Sequence, residues 1–378
     1  MKQRIYMDAN ATTPALPQVV DAMRPFWEER FGNASAVHSF GRAARSAIDT
    51  AREQLAALLH VRPSEIIFTS GGTESDNLAL FGLLHAGDHL VVGSTEHDAV
   101  LHAADALKRL GIGVTRVPCD TNGIIHPEAV QQAMTGQTKL VSVMLANNET
   151  GTIQPVRAIA DVAHAAGAWM HTDAVQACGK LPVDVTSLGC DLLSVSGHKM
   201  HATQGVGALW VRPGVPLQPT AHGGSHERRR RAGTENVPGI VGLGEAARLA
   251  AEWLLEGGSE QMCRLRNSLE ARLKSSTTGV RIHSEAVARL PNTTSVSFRG
   301  INAEELVIAL DLQGLAMSGG SACQSGAIEP SHVLRAMGLP DAAAGSSVRL
   351  SLSRLTTEEE VCSAVDIIAA AVRRMQLL

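Results

Sequence analysis

A chain of 378 residues is long enough for two or three domains and for a core that needs no disulfide or metal. Apolar residues at 44% and charged residues at 19% describe a folded protein and exclude a disordered tail. Thirty-three Lys and Arg against 37 Asp and Glu leave a formal charge of -4, which argues against a general polyanion binder and against direct nucleic-acid contact.

The opening MKQRIYMDANATTP lacks the apolar stretch of a signal peptide, and no later apolar run is long enough to span a bilayer. A cytoplasmic protein with no membrane contact is expected. The six cysteines, Cys119, Cys178, Cys190, Cys263, Cys323 and Cys362, form no C-x-x-C pair and read as free thiols. Ile48, Leu55, Leu58 and Leu59 mark an amphipathic helix. Nearly continuous apolar runs at 65–70, 89–93, 139–145, 168–173 and 191–196 then read as parallel strands covered on both faces. This strand–helix alternation predicts an α/β layer with right-handed crossovers. Past residue 256 the texture changes. Met262, Leu265, Leu269 and Leu273 share a helix face, strands near 294–298 and 348–352 alternate as a half-exposed sheet would, and Val361, Val365, Ile368 and Val372 line a last helix. A large domain over 15–252 and a smaller α+β domain over 253–378 are expected, with 1–14 joining the smaller one. The pattern around Ile5 leaves that last point open.

Ligands of open parallel sheets sit beyond the carboxyl ends of the strands, so what each strand runs into matters most. The first runs into Gly71-Gly72-Thr73-Glu74-Ser75-Asp76-Asn77 and a helix, which is either a phosphate cradle or an ordinary capped start. Another runs into Asp173 with Gln176 three residues on. A carboxylate at an apolar strand tip needs a cation or strong hydrogen bonds, unless it is a helix cap. A third runs from Ser196 into Gly197-His198-Lys199, where a desolvated lysine could form a Schiff base, although most lysines are surface groups. Together these are the three handles of pyridoxal phosphate: its phosphate, its ring nitrogen and its aldehyde. Cys323, in the small polar stretch 317–326, suggests an exposed reactive thiol, and Arg349 either clamps a carboxylate or is a solvated strand arginine. Gly242-Leu243-Gly244-Glu245-Ala246-Ala247 imitates a dinucleotide motif but follows no strand. The histidine pairs 85/89, 198/201 and 222/226 lack the companions of a metal site, so no metal is expected.

With these motifs in order, the chain resembles the cysteine desulfurases of the NifS/IscS group, which are class V aminotransferase-like, fold-type I pyridoxal phosphate enzymes. The resemblance runs nearly end to end. It is carried by Asp8-Ala9-Asn10-Ala11-Thr12-Thr13-Pro14, the 69–77 segment, Thr95-Glu96-His97, Asn147-Asn148-Glu149-Thr150-Gly151, Asp173-Ala174-Val175-Gln176, Ser196-Gly197-His198-Lys199, Ala232-Gly233-Thr234-Glu235-Asn236 and Ser321-Ala322-Cys323. It implies that Lys199 holds the cofactor's aldehyde, Asp173 pairs with the ring nitrogen, Gln176 bonds the ring oxygen and His97 stacks on the ring and manages thiol protons. Gly72, Thr73, Ser196 and His198 would hold the phosphate, with Thr234 reaching it from the partner of a homodimer. Asn148 would lie beside ring and substrate, Asn33 would line the substrate side, and Arg349 would grip the carboxylate. L-cysteine would yield alanine and a persulfide on Cys323, passed to an acceptor such as an iron–sulfur scaffold or a thio-modification enzyme. A selenocysteine lyase or aminotransferase of the same fold, or a non-catalytic sulfur-relay scaffold, are the alternatives.

The chain departs from the family at Ala202-Thr203-Gln204, where Gly-Pro-Lys is common, at Ala34 in place of proline, and at Gly319 in place of serine. It also ends at Leu378, soon after its last helical pattern, where housekeeping members carry a longer tail that docks the scaffold. These departures remove no chemical group but leave the acceptor open.

Overall fold

A computed structural model describes residues 4–319 and 330–377. Thirteen strands are found among them: β1 (Ile5–Tyr6), β2 (Ile66–Thr69), β3 (His89–Gly93), β4 (Gly113–Val117), β5 (Thr138–Ser142), β6 (Trp169–Asp173), β7 (Leu192–Ser196), β8 (Gly207–Val211), β9 (Val280–Ile282), β10 (Thr293–Phe298), β11 (Leu315–Ala316), β12 (Ser318–Gly319) and β13 (Ser347–Ser351). Seven form one sheet in the order β2-β8-β7-β6-β5-β3-β4, in which β8 alone runs against the others. Alternate residues feed two cores. Ile66, Phe68, Ala208 and Trp210 point to one, and Ile67, Leu209 and Val211 to the other. Burial of both faces is why these strands read as continuous apolar runs.

β4 and β8 escape the sequence reading. β4 is an edge strand with only Val117 buried, so its apolar signal is thin. β8, five buried residues long, follows a glycine-containing turn, with Gly205 at φ +80°. The dinucleotide-like glycines lie inside helix Val237–Leu255, where they serve packing. A Cβ on Gly244 would come within 2.5 Å of Ala51 Cα on helix Ser39–Leu58, and one on Gly242 within 2.6 Å of Met23 Sδ. The close approach of those helices requires glycine.

Gly257, at φ +78°, turns the chain into helix Gly258–Ser276 and the second sheet, ordered β12-β13-β10-β9 and wholly antiparallel. Helices Gly258–Ser276 and Glu358–Met375 cover one face, with Leu269, Phe298, Leu350 and Ile368 in a separate core. The last helix is framed by a capping box between Thr357 and Glu360. β1 pairs in parallel with β11, and Ile5 and Met7 enter this core.

The expectation of a half-exposed second sheet is overturned: every residue of β10 and β13 is buried. Alternation records the chemistry of two faces, not which one meets water. Here the Ser, Thr and Arg face packs on the N-terminal segment and the cavity described below. Asn10 Nδ2 donates to Thr293 Oγ1 (2.8 Å), and the backbone N–H of Asn10 donates to Ser351 Oγ (2.9 Å).

Two buried contacts fix the periphery of the site. Arg52 meets Glu227 through two bonds of 2.8 Å, and Glu227 also accepts the Phe68 N–H (3.0 Å). Glu227, Arg228 and Arg229 all hold positive φ, so this pair keeps a strained turn in place. Ser331, which caps helix His332–Ala336, donates to the buried carboxyl of Glu149. Burial lifts Glu149 to about 7, against the pull of Ser331 and Arg349.

Replacing Arg52 by Met strands the Glu227 carboxylate in the interior. Urea unfolding is expected to report a loss of about 3–5 kcal/mol. Glu149 holds its proton in the native state across pH 4.5–7 and loses it in the unfolded chain, so stability falls as pH rises through that window, by up to about 3 kcal/mol. Glu149→Gln should flatten this part of the pH profile. An unchanged slope between wild type and variant would remove Glu149 from the account.

Candidate functional site

The carboxyl ends of β2, β6 and β7 open into one cavity of about 270 Å³, whose walls include Gly72, Thr73, His97, Asn148, Asp173, Gln176, Ser196, His198, Lys199 and Arg349. Ten residues proposed from sequence therefore converge although they lie on separate segments.

One end is built for an anion. Helix Gly72–Phe81 begins without any side-chain cap, so its first N–H groups face the cavity unpaired by the fold. Gly71 precedes it at φ 155°, open to glycine alone. A Cβ on Gly72 would lie 2.8 Å from Val175 Cγ2, so a side chain there would crowd the cradle. His198 sits beside this end with Nδ1 3.1 Å from Thr12 Oγ1. Burial, then the charges of Lys199 and Lys180, hold its ring down to about 4, leaving a neutral hydrogen-bonding group.

The opposite wall is acidic. Asp173 is 6% exposed at the tip of β6, and its Oδ1 accepts the Val175 N–H at 2.8 Å. Burial raises its pKa while His97, that N–H and Lys199 oppose the rise. Asp76, 1% exposed, lies in the same cavity wall. Burial and the charge of Asp173 push it well above the ordinary range, and Glu96 adds to the push. Burial does the same to Glu96, whose Oε1 accepts the Met144 N–H (3.0 Å). His171 does not compensate. It is fully buried between Ser142 Oγ (2.8 Å) and Ser194 Oγ (3.0 Å) and is held down to about 3. A carboxylate cluster of this kind calls for a cation delivered from the cavity.

Lys199 enters from the turn after β7, and its Nζ donates to the carbonyls of Asn10 (2.6 Å) and Ala11 (2.7 Å). Gln176 donates to the same Asn10 carbonyl (3.0 Å) and accepts from Lys180 (2.8 Å). His97 caps helix Asp98–Arg109, with Nδ1 accepting the Ala99 N–H (3.1 Å). A neutral His97 ring therefore carries its proton on Nε2. Arg349, 3% exposed, is not a solvated strand arginine. It donates to Asp8 Oδ1 (2.7 Å) and the Asn148 carbonyl (3.0 Å), and its buried Nε has no acceptor among the described residues. These groups fit pyridoxal phosphate: an anion cradle, an acid wall for a ring cation, and an amine between them.

Two sequence-proposed residues lie outside this cavity. Asn33 is exposed, with its Oδ1 on the Ser35 N–H (2.8 Å). Thr234 is also exposed, on a loop held to the cradle helix by Arg231 and Glu74 (2.7 Å). Ser321, Ala322 and Cys323 lie outside the described residues. Asp8, Asn10, Asp76 and Lys180 were missed as individual participants. Only Asp76 had a usable signal, an acid at helical spacing behind the cradle. Among the described residues no cluster of metal-ligating side chains occurs, and Cys119, Cys178, Cys190, Cys263 and Cys362 form no disulfide.

The family model for class-V aminotransferases matches residues 5–363. A cysteine desulfurase IscS of Dictyoglomus turgidum is 41% identical over 384 residues, covering 100% of this chain and 97% of that protein. A solved NifS-like protein superposes with a TM-score of 0.91 at 37% identity, with both chains covered completely. A structure described as SspA in complex with cysteine gives 0.81 at 35% identity, covering 93% of this chain and 100% of that one. Sequence, fold and the assembled handles agree, and the chain belongs to the class-V aminotransferase family of pyridoxal-phosphate enzymes.

Proposed function

We propose that the protein is a cysteine desulfurase that takes sulfur from L-cysteine onto Cys323 and releases L-alanine. The observation that carries this reading is the single cavity in which Lys199, Asp173 and Arg349 converge, on a chain of cysteine-desulfurase likeness. When bound, pyridoxal phosphate supplies an aldehyde for the substrate amine and a ring that takes up the electron pair released at Cα.

The chain's own residues do the rest. The Gly72–Phe81 helix start with Thr73, Ser196 and His198 would hold the phosphate. Asp173 would hold a protonated ring nitrogen, Gln176 would donate to a ring oxygen, and His97, whose Nδ1 accepts the Ala99 N–H, would line the ring's side of the cavity with its Nε2–H available to a thiol. The Nζ of Lys199 moves the Cα proton, and the carbonyls of Asn10 and Ala11 set its direction. Arg349, beside Asn148, receives the substrate carboxylate. The thiolate of Cys323 attacks the substrate sulfur. An S–S bond forms, the C–S bond breaks with its electron pair left on the carbon side, and protonation releases alanine.

Thr234 completes the phosphate site of a second copy in a homodimer, and Asn33 lines the substrate side. An iron–sulfur scaffold or a thio-modification enzyme then accepts the sulfur. Among the described residues no helix is long and apolar enough to cross a membrane, and free thiols accord with the cytoplasm.

Incubation with L-cysteine, with alanine quantified and the persulfide mapped, tests the proposal. Wild type is expected to form alanine and carry extra sulfur on Cys323. Cys323→Ala should lose the persulfide and sulfur release, whereas an aminotransferase or a lyase that does not need this thiol would retain turnover. Arg349→Lys keeps the charge but loses the fork, so KM for cysteine should rise about tenfold or more with a smaller change in kcat. An unchanged KM would remove Arg349 from the substrate site.

A further inference from the structure

Another, much smaller cavity of about 20 Å³ shares Lys199 with the first and lies where the N-terminal segment meets residues that follow both sheets' strands. Thr13, Lys180, Lys199, His201, Ser353 and Arg354 supply its polar wall, and Trp253 and Met262 close it with apolar surface. Among the described residues no carboxylate lines it.

Two of these basic groups, Arg354 and Lys180, form no ion pair with a carboxylate among the described residues. Arg354 Nη1 donates to the Leu249 carbonyl (3.1 Å), but Nε and Nη2 are buried and meet no acceptor among the described residues. Burial alone draws this guanidinium down to about 10, as expected where no acid stands nearby. Lys180 is 5% exposed, and among the described residues its ammonium meets the neutral oxygens of Gln176 (2.8 Å) and Asn10 (3.3 Å). Burial, Lys199 and Arg349 press its pKa well below the ordinary value. His201 is 6% exposed at φ 67°, with Nδ1 on the Pro14 carbonyl (2.9 Å). Burial and then Arg354 drive its ring to about 4. Ser353 Oγ accepts the Leu355 N–H (3.2 Å), which leaves its O–H able to donate.

A buried cation without a counter-charge is costly, and a water molecule offers dipoles but no charge. The space matches about one small sphere, since a cavity of roughly 10–15 Å³ on this measure already holds one water. Sulfate or phosphate is too large. We propose that this cavity is a binding site for one halide-sized monovalent anion, held by Arg354 with Lys180 and Ser353. The anion ties the segment after β13 to the turn that carries Lys199. Its position is distinct from the cradle at the start of helix Gly72–Phe81, and its occupancy does not depend on the reaction assigned above.

The probe is bromide on the full-length holoenzyme. Crystals grown in a halide-free buffer and soaked in bromide should give an anomalous peak within hydrogen-bond distance of Arg354 Nε and Nη2. In solution at fixed ionic strength, replacing gluconate by chloride or bromide should raise the Tm saturably, while sulfate should not. Arg354→Met should lose the peak and weaken the halide response at least about tenfold, the scale of one charge-assisted hydrogen bond. Arg354→Lys should retain a weaker response. Should Arg354→Met fail to fold, the bromide map of wild type and the Arg354→Lys titration decide alone. An ordered water without an anomalous peak, or a halide-dependent Tm equal in wild type and Arg354→Met, overturns the proposal.

Discussion

The organisation of the site follows from one electrostatic constraint: the fold buries the Asp173 carboxyl at the end of β6, next to Asp76 and near Glu96, without giving it a dedicated cation. His171, whose Nε2 lies 3.6 Å from Asp76 Oδ1, is locked between two serines in its neutral form. Burial therefore favours protonated carboxyls until a positive group enters from the cavity. A pyridine nitrogen is such a group, because it can take the proton and return a cation. The uncapped helix start and Lys199 stand at the distances of the fold, each facing the same space from a different strand end.

Asn10 holds the two sheets in register around that space. Its amide donates to Thr293 Oγ1 (2.8 Å) and the Asn148 carbonyl (3.1 Å), and its Oδ1 accepts from Asn292 (2.9 Å) and Lys180 (3.3 Å). Its carbonyl receives both Lys199 and Gln176. One short segment thus touches the parallel sheet's strand ends, the antiparallel sheet and the Lys199 amine. A buried polar network of this kind is favourable only when each member is satisfied, which makes the N-terminal segment part of the site and not a tail.

Much of this was legible from residues alone. Continuous apolar runs located β2, β3, β5, β6 and β7, because burial on both faces imposes that pattern, and the residues that follow β2, β6 and β7 line the cavity. The edge strand β4 was hidden by its exposed face. β10 and β13 were placed correctly but misjudged in environment, since small polar residues in a strand fit a buried polar interface as well as water. Asp8, Asn10 and Lys180 were not singled out because their roles come from contacts with partners remote in sequence, Arg349, Asn292 and Asn10 respectively, which local spacing does not encode. Arg349 shows the same limit from the other side: pattern left a solvated strand arginine open, and only the folded arrangement of β13 against Asn148 and Asp8 makes it a buried fork.

The most direct test of the central electrostatic claim is the ¹⁵N chemical shift of the ring nitrogen in holoenzyme reconstituted with labelled pyridoxal phosphate. Near neutral pH the wild type should show a protonated nitrogen, and Asp173→Asn should shift it to the unprotonated form. A nitrogen that is unprotonated in wild type, or equally protonated in both proteins, would contradict the assignment of Asp173 as the group around which the site is built.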